Sequence, residues 1–199
     1  MVPPGLYVPT ADGRVVMRDI GWSGYQTVLA LRGDRSSPRL AYLDGAVEIM
    51  SPSHGHETTS VHLSRVLEYY CLELGIRISN HGSWTLSKLD REAGAEPDQC
   101  FIFGAGRDRS ERSWPDLVIE VNWTRGGINK LEIYKRLGIP EVWFWQQDTL
   151  RVFALTDAGY EQRNVSQWVP DLDLEWLLEL ARLDELNDIL AAVRTKLGG

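Results

Sequence analysis

The sequence predicts one domain of the α/β (α+β) class, with an N-terminal hairpin and a C-terminal helical tail. Three observations carry that prediction. Two short apolar runs flank Asp44-Gly45, the two-residue signal of a type I′ hairpin. Leu63, Val66, Leu67, Tyr70, Cys71 and Leu74 recur at three–four spacing, the period of a helix with one buried face. Beyond them, short strand-like runs are interrupted by a second helix before the tail.

The elements follow in order. Residues 1–20 hold Pro3, Pro4 and Pro9 with little periodicity and read as an irregular arm. A short helix over 22–31 is closed by Gly33. In the hairpin's second run Ala46, Glu48 and Met50 share one face, with Val47 and Ile49 on the other. Ser51, Ser53 and Thr58 are candidate N-terminal caps for the long helix, and Gly75 suits its end. Short strands are expected near 76–79, 84–87 and 99–103, then a polar loop over 104–113. In the strand over 116–121, Leu117, Ile119 and Val121 face one way, and Asp116, Val118, Glu120 and Asn122 the other. A helix over 128–137 is stopped by Gly138 and Pro140. Residues 141–146, 150–155 and 160–163 read as a meander, with turns at Gln147-Asp148 and Ala158-Gly159. The tail, 174–197, carries Leu186, Ile189, Leu190, Val193 and Leu197 on one stripe. With no repeat and no linker, residues 1–199 read as a single domain.

Composition narrows the functional classes. A chain of 199 residues can bury about 70% of its unfolded surface. No apolar stretch approaches the roughly 20 residues that span a bilayer, so no membrane association is expected. The segment MVPPGLYVPTADGRVVM lacks a basic region followed by an apolar one, so no secretory leader is expected. Cys71 and Cys100 sit in apolar runs and read as buried free thiols, which fits a cytoplasmic protein. The net charge of −7 argues against a protein that coats nucleic acid non-specifically. It leaves a nuclease open, because acidic metal ligands lower the count and a local basic patch suffices. Arg107, Arg109 and Arg112 form either such a patch or a solvated loop interrupted by Asp108 and Glu111.

Four charged residues could carry chemistry. Glu120 ends an apolar run, where a carboxylate is costly unless solvated, paired or bound to a cation. Asp98 opens another run, either as a turn residue or as the partner of Glu120 on a neighbouring strand about 4.8 Å away. Lys130 falls on the helical stripe of Ile133, Tyr134 and Leu137. It either snorkels to the surface or aims its amine at an anionic site. Glu48 is either a further metal ligand or an arginine's partner. Tyr134 is a core residue or a phosphate contact, and His56 or Glu57 near a helix start could position the hairpin or a phosphate. His54 and His56 lack further ligands at zinc spacing, no G-x-S-x-G supports serine catalysis, and Gly126-Gly127 lacks a phosphate-loop pattern.

The segments AVEIMSPSHGHE, GSWTLSK, EPDQCFIF, PDLVIEV and NKLEIYKRLGIPEVW come in a recognisable order, followed by residues 160–174. In that order they resemble the Uma-type family (Uma2/DUF820) of nucleases, part of the restriction-endonuclease-like PD-(D/E)xK superfamily. The resemblance runs from about residue 22 to 178. It implies a mixed central β-sheet flanked by helices, with the site at one edge. Asp98 resembles the family's first metal-binding acid, Glu120 its second, Lys130 its lysine moved onto the following helix, and Glu48 the acid from the hairpin. The superfamily's usual lysine position, two residues after Glu120, holds Asn122 here. Pro115-Asp116 mimics the motif, but Asp116 and Glu120 share one strand and cannot fill a two-strand arrangement.

The resulting expectation is a Mg²⁺- or Mn²⁺-dependent DNA endonuclease. Asp98, Glu120 and the backbone carbonyl of Val121 would hold the metal, with Glu48 as an additional ligand, and Lys130 would orient water or stabilise charge. A homodimer is the assembly that superfamily members commonly use. Two rivals stand beside it: a non-catalytic relative that binds nucleic acid or protein, and a scaffold whose acids are structural.

Overall fold

In the computed structural model, which describes residues 9–104, 114–121 and 127–198, the chain forms two sheets. The first is antiparallel, in the order β1 (Gly13–Met17), β3 (Ala46–Ser51), β2 (Arg39–Leu43), β6 (Ala93–Ala95) and β5 (Leu86–Lys88). Asp44 and Gly45 take φ of 45° and 80°, so β2 and β3 join through the expected two-residue turn with Leu43 opposite Ala46. Val47 packs with Leu40, Tyr42 and Tyr25 of α1 (Trp22–Arg32), which covers that face. Glu48 is thereby turned the other way.

The second sheet is the expected mixed one. Its order is β11 (Gly159–Arg163), β10 (Thr149–Thr156), β9 (Glu141–Gln146), β8 (Leu117–Val121), β7 (Gln99–Phe103) and β4 (Ile78–Asn80). Leu117, Ile119, Val121, Trp143 and Trp145 form one core with α2 (His54–Glu73), α4 (Leu174–Leu180) and α5 (Leu186–Leu197). Val118 and Val142, on the opposite face, pack on α3 (Lys130–Leu137) and on Ala41, Leu86, Ala93 and Ala95 of the first sheet. The mixed sheet is thus flanked by helices on one side, and by α3 and the first sheet on the other.

Several sequence expectations need correcting. The arm is not irregular throughout, because residues 13–17 pair with β3. That edge strand buries little, and Val15 is exposed, so no hydrophobic period marked it. β6 is an Ala-Gly-Ala strand selected for size: a Cβ on Gly94 would stand 2.6 Å from the Tyr25 hydroxyl oxygen. The tail is two helices, and Ile189 and Val193 of its stripe are buried on α2 within the same chain. Ser53 is the cap chosen for α2, accepting from His56 N at 3.3 Å. Asn129 caps α3 by accepting from Glu132 N at 3.1 Å, so that helix starts at Lys130. Residues 105–113, with Arg107, Arg109 and Arg112, and Asn122 lie outside the described residues.

β8 and β9 are the parallel pair, and α3 is the crossover between them. Such a crossover leaves from the C-terminal end of the first strand, where Glu120 and Val121 stand. Lys130, at the first turn of α3, is therefore delivered back to that end. Among the described residues no helix is long and apolar enough to cross a membrane. Cys71 and Cys100 are buried and free, and burial pushes the Cys71 thiol up to about 12.

Candidate active site

Four elements converge where β8 ends. The β7–β8 ladder pairs Gln99 with Ile119, and one step further its register sets Asp98 across from Glu120 on the same face. β3 contributes Glu48 from the other sheet, and α3 contributes Lys130 and Tyr134. Arg14, Glu48, Glu120, Val121 and Lys130 line one cavity of about 260 Å³.

Each carboxylate has a distinct set of partners. Glu120 Oε1 accepts from Lys130 Nζ at 3.2 Å and from the Tyr134 hydroxyl. Burial pushes its pKa up and the Asp98 charge adds to this, against Lys130 and the Tyr134 bond. Asp98 Oδ2 accepts from Val121 N at 2.6 Å, while Oδ1 accepts from His56 Nε2 at 2.9 Å and from Arg39. Burial would raise Asp98, but Arg39 first and then His56 hold it below the ordinary carboxylate value. The two acids on facing strand ends are thus shifted in opposite directions, Asp98 held down by its cationic partners and Glu120 pushed up by burial. Glu48 Oε2 accepts from Ile128 N at 3.0 Å and lies 3.6 Å from Arg14 Nε.

The basic groups answer to the same acids. For Lys130, burial disfavours the charge, yet Glu120, then Glu48 and Asp98, outweigh it and the pKa rises. For His56, burial is likewise outweighed, by Asp98 and then by Asp12, which meets Nδ1 at 3.0 Å. Carboxylates at both ring nitrogens favour the protonated form of His56.

The sequence-predicted residues fall into three positions. Glu48, Glu120, Val121 and Lys130 share the cavity. Asp98 does not line it; its side chain is wholly enclosed, anchored by Arg39, His56 and the Val121 amide. Tyr134 is fully buried with its hydroxyl on Glu120, as a core residue rather than a phosphate contact, and His56 stands beyond Asp98. Sequence reasoning missed Arg39, Arg14, Asp12 and Gly127. Arg39 alternates with Leu40 on β2, a pattern that did signal its face. Arg14 and Asp12 lay in the supposed arm. Gly127 takes φ +100°, and a Cβ there would stand 2.1 Å from Glu48 Oε2, so glycine is what lets the chain close over that carboxylate.

The donors present are oxygens, which suit a hard cation. Among the described residues no three His, Cys, Asp or Glu side chains are grouped so as to hold a metal ion by themselves. Two cavity-lining carboxylates beside a strand end fit Mg²⁺ or Mn²⁺ better, because Mg²⁺ keeps waters and binds through one or two carboxylates plus substrate phosphates. Among the described residues zinc finds no comparable site, and both His56 nitrogens are taken by carboxylates.

Comparison with known proteins agrees with this architecture. The Uma2 family, described as "Putative restriction endonuclease", matches residues 25–184. A crystal structure from Anabaena variabilis ATCC 29413, described as a putative nuclease belonging to DUF820, has a similar fold. It superposes with a TM-score of 0.50 at 13% identity, covering 82% of this chain and 96% of the other. No curated protein matches the chain. The match spans most of the sequence, with every element of the candidate site after Asp12 and Arg14 inside it: the chain belongs to the Uma2 family of putative restriction endonucleases.

Proposed function

We propose that this protein is a Mg²⁺- or Mn²⁺-dependent DNA endonuclease that hydrolyses phosphodiester bonds. The observation that carries the reading is the pair of buried Glu120 with half-buried Lys130, opening on a cavity shared with Glu48 and backed by Asp98. Glu120, Glu48 and the Val121 carbonyl would hold the ion in the cavity. Asp98, the fourth expected ligand, would join them only by giving up one of its present bonds. When bound, such an ion polarises a phosphate oxygen and lowers the pKa of an attacking water.

The protein's own groups do the rest. Lys130, ion-paired at 3.2 Å, stays an ammonium; it orients water or offsets charge on the phosphate rather than accepting a proton. Tyr134 holds the Glu120 carboxylate in place. Arg39 and His56 keep Asp98 ionised and fixed. Arg14 supplies a second positive charge at the cavity wall. A homodimer, acting on two strands, belongs to the proposal, with light scattering at several concentrations as its test. Ile189 and Val193 of the α5 stripe pack inside the monomer and are not offered to a second copy.

Cleavage of plasmid and oligonucleotide DNA with Mg²⁺ or Mn²⁺, wild type against Asp98→Ala, tests the reading. Cutting by wild type alone, abolished by chelator, is expected, with a loss of at least about 100-fold in the variant. DNA binding without metal-dependent cleavage would instead identify the non-catalytic relative that Asn122 at the usual lysine position suggests.

A further inference from the structure

The cavity extends past the carboxylates along the face of the mixed sheet that carries α3, towards β9 and β10. Register builds a row there: Glu120 on β8 stands beside Phe144 on β9, and Phe144 beside Arg151 on β10. Strands about 4.8 Å apart put the arginine position about 10 Å from the acid. Phe153, on the same face of β10, meets Phe144 edge-to-face with centroids 6.1 Å apart. Gln146 lies two residues beyond Phe144 on the same face. All of these line the cavity together with Glu120. The two rings are only half-buried, and Arg151 is exposed. Among the described residues Arg151 enters no ion pair, unlike Arg14, Arg39 and Lys130 around the acids.

We propose that this row is a nucleotide subsite: an unpaired base packs against Phe144 and Phe153, Gln146 meets its edge, and Arg151 holds a flanking phosphate. The proposal rests on the endonuclease reading for the phosphate at Glu120, and deepens it by naming an unpaired nucleotide as the substrate element bound. An aromatic side chain can stack only on a base face freed from its neighbours, which a closed duplex does not offer. The small cavity points the same way, since it is at the low end for ligand pockets and takes one base rather than a double helix. Arg151 suits the phosphate because no described carboxylate pairs with it and its planar fork matches phosphate oxygens.

Fluorescence anisotropy tests this independently of cleavage. The probes are a labelled single-stranded oligothymidylate, an abasic strand of equal length and charge, and a duplex, each titrated in Ca²⁺ as an oxygen-seeking ion. Wild type is expected to bind the base-bearing strand about tenfold more tightly than the abasic one, and more tightly than the duplex. Phe144→Leu should lose most of that ratio while binding the abasic strand as wild type does, which excludes a lost fold. Arg151→Gln should weaken both single strands alike. Equal affinity of wild type for the base-bearing and abasic strands, or for single strand and duplex, overturns the subsite, as does no binding at all. Base-dependent binding by a protein that cuts nothing would keep the subsite and sink the endonuclease reading instead.

Discussion

Glu48, Glu96, Asp98, Asp116, Glu120 and Glu141 are all buried, and their partners separate structural acids from the candidate site. Glu96 accepts from Leu40 N at 2.8 Å, Thr85 Oγ1 at 2.6 Å and Arg32, so its oxygens are consumed in joining β2 to the segment before β5. Glu120 instead shares its bonds with a lysine that also faces Glu48 and Asp98. Removing the lysine would leave a buried, uncompensated carboxylate. Lys130→Met is therefore expected to destabilise by about 3 kcal/mol, measured by urea unfolding. Adding Glu120→Gln should restore most of that stability, because Tyr134 can still donate to the amide oxygen, while restoring no cleavage. Stability left low in the double variant would mean that Lys130 acts through packing. Gly127→Ala is a second residue-scale test. A side chain at φ +100° is strained by about 1–2 kcal/mol, and its Cβ would displace Glu48 from the Ile128 amide. A lower urea midpoint and weaker metal binding by calorimetry are both expected; unchanged metal binding would remove Glu48 from the ligand set.

At the scale of elements, Glu141 at the start of β9 ties the 164–169 segment to the mixed sheet. Its Oε1 accepts from Trp143 Nε1 at 2.7 Å and Ser166 Oγ at 2.6 Å, and its Oε2 from Gln167 N at 2.8 Å. Glu141→Ala strands two buried donors and the part-buried Gln167 amide, and should cost about 2–4 kcal/mol in urea unfolding. Burial raises the Glu141 pKa against those three bonds. A raised carboxyl contributes stability that is full below its unfolded value, about 4.3, and is lost as pH rises through the folded value. The stability of wild type minus that of Glu141→Gln should therefore fall as pH rises above the unfolded value; a difference that rises would show the acid to be stabilised as an anion. Most elements were legible in the sequence because each carried a local signal. Asp44-Gly45 placed the hairpin, the Leu63-to-Leu74 spacing placed α2, and Gly138 placed the end of α3. β1 and β6 were not, because an edge strand held by backbone bonds and an Ala-Gly-Ala strand held by fit have no hydrophobic period. Glu48, Glu120 and Lys130 were legible as charges on apolar faces. Arg39 and His56 around Asp98 were not recognised as its anchors, since pairing across 59 and 42 residues depends on how the two sheets meet.

That meeting is also what the whole molecule contributes. Glu48 comes from the antiparallel sheet, Glu120 from the mixed sheet and Lys130 from the crossover helix, so the acids approach one cavity only when both sheets are assembled. An unfolded chain cannot reproduce that arrangement, and an ion bound there stabilises the folded state alone. At 100 times Kd one such ion adds about 2.7 kcal/mol, which for a chain of this size is a rise in Tm of about 5–10 °C. Mg²⁺ and Mn²⁺ are expected to raise the wild-type Tm in a scan, and Glu120→Gln to lose most of the rise. Glu141→Ala is the control: its Tm should start lower, yet respond to metal as wild type does, because Glu141 bonds only to the 164–169 segment and Trp143. If its response vanished as well, the ion would be reporting general stability rather than this cavity. If wild type itself showed no response, the buried acids would be structural and the metal assignment would fall, whatever the family does elsewhere.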